Sequence, residues 1–185
     1  MDARPWLAAL LLAASSPAAE RNRILRPTDG AALERGRITA VATAPGGRLE
    51  LDGRAVAAEQ PVPGVLRAKI EASPGPHRLE LIWPGGRREA RFFVGPNAPA
   101  SFKPYRVHPP VAVDCSRCHA AEGGRWRFRG GCFDCHARET FPQAHSHTAD
   151  EMSGCGSCHN PHGSTERALL EAPRAEVCSR CHALR

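Results

Sequence analysis

The sequence predicts two parts of unlike kind: an N-terminal small all-β sandwich and a C-terminal domain with little regular structure and short helices. Three observations carry that prediction. Between residues 38 and 94 short apolar runs alternate with turn signals, and all eight cysteines fall after residue 114. Aromatics are only 5% of the 185 residues, while glycine and proline contribute 17 each, which argues against one large aromatic-rich core.

Residues 1–19 stand apart from both. Arg4 precedes a nine-residue apolar run at 6–14, and Ser15-Ser16-Pro17-Ala18-Ala19 has the small side chains of a signal-peptidase site. A signal peptide cleaved after Ala18 or Ala19 is therefore expected, and with it an exported chain. Nine apolar residues fall well short of the ~20 that cross a bilayer, and no later stretch comes closer, so no membrane span is expected.

Residues 20–94 carry the sandwich. Ile38-Thr39-Ala40-Val41-Ala42, Leu49-Glu50-Leu51, residues 65–70 and residues 78–83 are short, partly alternating runs of strand type. Turn signals separate them: Pro45-Gly46-Gly47, Asp52-Gly53, Pro61-Val62-Pro63-Gly64, Pro74-Gly75-Pro76 and Pro84-Gly85-Gly86. Asp52-Gly53 suits a tight hairpin because both positions tolerate positive φ, and a last hairpin joins residues 79–83 to 88–94. Short strands at this spacing predict a small antiparallel sandwich, which resembles the immunoglobulin-like modules appended to exported bacterial proteins. His77, at a strand entry, is expected to face solvent. Residues 95–104, beginning Gly95-Pro96-Asn97-Ala98-Pro99-Ala100, read as a short linker stiffened by prolines.

Residues 105–185 hold every cysteine in four copies of one pattern. The copies are Cys115-Ser116-Arg117-Cys118-His119, Cys132-Phe133-Asp134-Cys135-His136, Cys155-Gly156-Ser157-Cys158-His159 and Cys178-Ser179-Arg180-Cys181-His182. Two thiols three residues apart on one helical turn can reach the two vinyl groups of a porphyrin, while the next side chain points at the iron and histidine supplies its proximal nitrogen. This is the c-type haem attachment motif. The eight cysteines are thus candidate thioether sites for four haem c groups, with His119, His136, His159 and His182 as proximal iron ligands. Zinc ribbons do not require a histidine after each second cysteine. Disulfides within Cys-x-x-Cys loops would constrain almost nothing, and a thioredoxin-like centre would need one motif in an α/β pattern.

The segment from Val107 onward resembles the multihaem c-type cytochromes of the paired CXXCH class, as a tetrahaem member. The residues that carry the resemblance are the four motifs, the Pro161-His162-Gly163 that follows the third, and His108-Pro109-Pro110-Val111 ahead of the first. The first motif departs from the pattern, since His119 is followed by Ala120-Ala121-Glu122 rather than a second histidine, so the first haem pair need not be ligated like the second. Nine histidines less four proximal ones and His77 leave His108, His145, His147 and His162. The resemblance implies bis-histidine ligation with these as distal ligands. His162 lies too close to His159 in sequence to reach round that haem, so it is expected to serve another. His145 and His147 would point the same way in an extended segment, and one of them could be spare. Met152, the sole methionine after Met1, is expected to pack rather than ligate.

From residue 105 the chain has 81 residues for four haems, too few to enclose each singly. The macrocycles would form the core, close enough for electrons to hop between them. Helices are expected at the motifs, near residues 166–171 up to Pro173, and from Ala175 into Cys178. Residues 20–97 carry 13 basic against 9 acidic side chains, and residues 98–185 carry 11 against 9. Eight propionates and four ferric cores would bring the second part to about −2, so a basic module sits beside an acidic carrier. No basic cluster with interleaved aromatics occurs beyond Arg125-Trp126-Arg127-Phe128-Arg129; nucleic acid is not expected as a partner, and that stretch reads as packing a haem edge or pairing with propionates.

The expected function is electron relay between a redox donor and a redox acceptor, in a bacterial periplasm or outside the cell, by a carrier and not an enzyme. The β-module would serve docking or self-assembly. Two alternatives stay open: a subunit of an extracellular haem filament in which neighbours lend histidines, and an oxyanion reductase with one open iron. No motif ends in lysine, which counts against the reductase.

Overall fold

The computed structural model describes residues 22–108, 115–129, 131–141, 147 and 154–182. The signal peptide expected at 1–19, His145 and Met152 lie outside the described residues. The chain is mostly β-strand in several sheets, with few and short helices.

Among the described residues nine strands precede the first cysteine motif: β1 (Arg23–Arg26), β2 (Ala31–Leu33), β3 (Arg37–Thr43), β4 (Arg48–Leu51), β5 (Arg54–Val56), β6 (Val65–Glu71), β7 (Gly75–Trp83), β8 (Gly86–Val94) and β9 (Lys103–Pro104). They form one sheet of order β1-β3-β6 and another of order β5-β4-β7-β8-β2-β9. Strict alternation on β3 and β6 sends Ile38, Ala40 and Ala42 inward, opposite Ile70, Ala68 and Leu66. The other sheet contributes Leu49, Leu79, Leu81, Phe92 and Val94 to the same core. Each of the fully buried leucines and Phe92 is worth about 2 kcal/mol of burial. This part therefore has an apolar core made of its own side chains.

The turns fall where their chemistry requires. Asp52 (φ 51°) and Gly53 (φ 77°) are both left-handed and join β4 to β5 with Leu51 opposite Arg54, as a type I′ hairpin demands. Pro84-Gly85 closes β7 onto β8, with Trp83 opposite Gly86.

Three features differ from the antiparallel expectation. β2 runs parallel to both β8 and β9, so the larger sheet is mixed. On β1, Ile24 faces Ala42 but Arg26 faces Val41, which leaves Leu25 as a bulge and re-aims Arg26. Residues 95–104 end in β9 and seat Phe102 on Phe93, ring centres 5.8 Å apart, so this stretch closes onto the sheet. His77 is also corrected. Its side chain is only 9% exposed, held 2.7 Å from Asp52 Oδ2 and 2.7 Å from the Ser73 carbonyl, and stacked on Phe92; two acceptors and a ring face draw it in from solvent.

Beyond β9 regular structure thins out. Cys115–Arg117, Cys132–Asp134, Arg138–Thr140, Cys155–Ser157 and Arg167–Leu169 are single 3₁₀ turns, and Arg174–Ser179 is a short α-helix, α1. β10 (His119–Glu122) and β11 (Arg125–Phe128) form a hairpin across Gly123 and Gly124, both at positive φ. The helix expected at 166–171 is a 3₁₀ turn with Ala168 (φ 54°) and Leu169 (φ 57°) left-handed. Its carbonyls are committed elsewhere: Ala168 accepts from His159 Nδ1–H, Leu169 from the Asn160 N–H and Leu170 from the Ser164 hydroxyl. No described helix is long and apolar enough to cross a membrane.

Candidate functional site

Each motif is wound by its first cysteine. The carbonyls of Cys115, Cys132, Cys155 and Cys178 accept from the backbone N–H of Cys118, Cys135, Cys158 and Cys181 at 3.2–3.3 Å. In the last three motifs the same carbonyl also accepts from the following histidine, at 2.9 Å for His136 and 3.0 Å for His159 and His182. The first motif unwinds instead. His119 enters β10, and the Cys118 carbonyl accepts from the Arg129 N–H at 2.8 Å, which gives a structural counterpart to the missing second histidine noted in the sequence. None of the eight thiols is in a disulfide. Burial pushes the Cys132 thiol up to about 11, reinforced by Cys155 and Cys118 beside it, and raises that of Cys158 against the opposing charge of Arg180.

The histidines gather in twos, and across motifs. His119 faces His162 with ring centres 6.0 Å apart and planes 12° from parallel. His136 faces His108 at 6.0 Å, and His182 faces His147 at 5.9 Å. Two imidazoles bound to one metal from opposite sides put their ring centres roughly 6 Å apart, from two metal–nitrogen bonds of about 2 Å and two ring half-widths. Among the described residues no three His, Cys, Asp or Glu side chains gather as a site for a bare ion. His159 donates Nδ1–H to the Ala168 carbonyl at 2.7 Å, an arrangement that fixes the tautomer with the proton on Nδ1. His145, the remaining distal candidate, lies outside the described residues.

The His119–His162 pair is the most enclosed. Trp126 and Phe128 meet the His119 ring edge-on at 5.1 and 5.8 Å. Burial pushes His119 below the usual imidazole range, with the Arg127 backbone opposing, although its buried Nδ1 makes no hydrogen bond of ordinary geometry. Burial likewise lowers His162, followed by the charges of His119, Arg23 and Arg26. Tyr105 donates its hydroxyl to the His162 carbonyl at 3.2 Å, while Asn160 Oδ1 accepts from the His162 N–H at 3.0 Å. Arg106 and Ser164 exchange two backbone bonds of 2.8 Å, and Lys103 meets Glu166 at 2.8 Å. Arg67 on β6 points Nη1 at Cys115 Sγ from 3.6 Å. The first motif and the loop around His162 are thus anchored to the β-sheets.

Of the residues read from sequence, the structure brings together His119 with His162, His136 with His108 and His182 with His147. Sequence reasoning missed the anchoring role of Tyr105, Arg106 and Ser164, since nothing in their spacing marks it. It also missed β10–β11, for which Gly123-Gly124 between polar–apolar residues was the available signal. The donor set, paired thiols with imidazoles paired at ring-centre distances of 5.9–6.0 Å, fits haem.

No curated protein matches the chain at a significant level. The family model described as the doubled CXXCH motif matches residues 145–184, which hold the third and fourth motifs. That match supports a multihaem c-type cytochrome with covalently bound haem c, involved in electron transfer with redox partners.

Proposed function

We propose that the chain is an exported tetrahaem c-type cytochrome that relays electrons between a donor and an acceptor through closely packed bis-histidine haems. The observation that carries this reading is the set of three histidine pairs, at 5.9–6.0 Å, each joining a motif's own histidine to one that lies outside that motif and distant in the chain. Thioethers form at Cys115 and Cys118, Cys132 and Cys135, Cys155 and Cys158, and Cys178 and Cys181. His119, His136, His159 and His182 are proximal, and His162, His108, His145 and His147 in that order are distal. Haem c supplies the one-electron iron couple. The protein's own contribution is positional: two imidazoles per iron leave no coordination site for substrate, and histidines reaching from one motif to another hold neighbouring groups close. Three of the histidine pairs form within one chain, which favours a carrier over a filament. The β-module, in this reading immunoglobulin-like, is a docking element.

Pyridine haemochrome analysis of the exported protein should give four haems per chain, and its electron paramagnetic resonance spectrum should be wholly low-spin. A stoichiometry clearly below four defeats the proposal; a stable high-spin signal in the intact protein favours the reductase reading.

A further inference from the structure

Folded proteins rarely leave buried donors without acceptors, and each such atom asks for an explanation. Among the described residues they are Arg26 Nε, Thr28 Oγ1, His119 Nδ1 and Trp126 Nε1. Two of the four, on His119 and Trp126, sit together, and a third, Arg26, lies within electrostatic reach of the same histidine pair. His119 belongs to the His119–His162 pair, and Trp126 touches its ring at 5.1 Å. Arg26 comes from the other part of the molecule, where the bulge at Leu25 turns it out of the alternation of β1. Its charge acts both on the His162 ring and on Tyr105, whose hydroxyl is bonded to the His162 carbonyl. Arg67 reaches the first thiol of the same motif. A guanidinium N–H and an indole N–H, both desolvated and both without acceptors, make a receptor for an anion.

Resting on the haem reading above, we infer that Arg26 and Trp126 donate to the propionate carboxylates of the haem held between His119 and His162, so that the β-module forms part of this haem's seat. The chemistry is specific. A haem attached by thioethers at its vinyl edge still carries two carboxylates, and a buried carboxylate needs a charge-assisted donor, for which arginine is the best suited. The consequence is electrostatic. A fixed cation at the propionates favours the reduced haem, which carries one more negative charge than the oxidised form, so Arg26 raises the potential of this haem relative to the others.

The test uses the haem-loaded full chain and a redox titration followed optically, with the couple assigned by the shift that His162→Met produces in it. Arg26→Gln should lower that couple, so that at fixed applied potential its reduced-to-oxidised ratio falls about three- to tenfold. Arg26→Lys should restore most of the shift, and Arg37→Gln, an exposed arginine paired with Glu71, should leave all couples in place. Trp126→Phe keeps the ring and loses only the N–H; it should lower the same couple by a smaller factor, and it carries the test if Arg26→Gln does not fold. An unmoved couple in Arg26→Gln and Trp126→Phe overturns the inference, as does an equal shift in the Gln and Lys variants, which would mean packing and not charge. Failure of the haem reading itself looks different: the wild-type tryptic peptide containing Cys115 and Cys118 would then lack the mass of haem.

Discussion

Gly163 shows how one residue can set the position of the proposed ligand His162. Its φ of 132° lies where side chains are rarely tolerated, and a Cβ there would run into the Tyr105 hydroxyl and ring. The glycine therefore lets Tyr105 close over the backbone and reach the His162 carbonyl, which gives a physical reason for glycine directly after this histidine. Gly163→Ala should destabilise the protein by about 2 kcal/mol through combined strain and overpacking. It should also displace His162 from the His119 axis, adding a high-spin haem signal. Tyr105→Phe is the matched control: it loses one hydrogen bond, about 1 kcal/mol, keeps the ring that packs against the core, and should stay low-spin. Thermal melts and resonance spectra of the two variants separate these outcomes, and a low-spin Gly163→Ala protein would show that the loop adapts.

At the scale of elements, the β4–β5 turn is tied to β7 through Asp52. Its carboxylate accepts from the Arg78 N–H at 2.8 Å and meets His77 at 2.7 Å. Burial alone would raise its pKa, but the His77 contact, the Arg78 N–H and their charges together lower it from the ordinary 3.8. The sign follows from linkage: the ionised form is favoured in the folded state, so the contribution is present above the ordinary carboxylate value and is lost as pH falls through the lowered one. Asp52→Asn keeps a residue tolerant of positive φ and removes the charge. It should cost up to about 1 kcal/mol at neutral pH, and urea unfolding should find the gap to wild type closing as pH is taken down through the carboxylate range. This hairpin and β7–β8 were legible because Asp52-Gly53 and Pro84-Gly85 have the backbone freedom their turns need, and because β3, β6 and β7 are long enough to show alternation or an apolar run. β2 and β9 were not, having three and two residues, and β1 was hidden by a bulge that breaks the period. The turn at 167–169 misled for another reason. Its composition suits a helix, but long-range acceptors for His159 Nδ1, the Asn160 N–H and the Ser164 hydroxyl outweigh the local i to i−4 bonds, and such partners have no signature in a local window.

Across the whole molecule the two parts differ in what holds them together. The β-sheets are closed by an apolar cluster of thirteen buried residues drawn from both, whereas the described residues from 115 onward contain a single buried apolar side chain, Val177. In the proposed holoprotein the missing apolar bulk comes from the porphyrins, and three of the irons tie distant points of the chain: residue 108 to 136, 119 to 162, and 147 to 182. The four Cys-x-x-Cys-His motifs were readable from sequence because each is a local spacing. The pairing was not, because it is decided by the path of the chain between motifs. It makes a definite prediction about additivity. If His108 and His136 bind one iron, His108→Ala and His136→Ala should each convert one haem to a high-spin or otherwise perturbed form, and the double variant should perturb that same haem and no second one. If His108 and His162 serve different irons, the double variant His108→Ala with His162→Ala should perturb two. Counting altered haems by low-temperature resonance against total haem content reads both results from the same samples. A second perturbed haem in the His108→Ala, His136→Ala protein would break the proposed pairing while leaving the thioether assignments untouched.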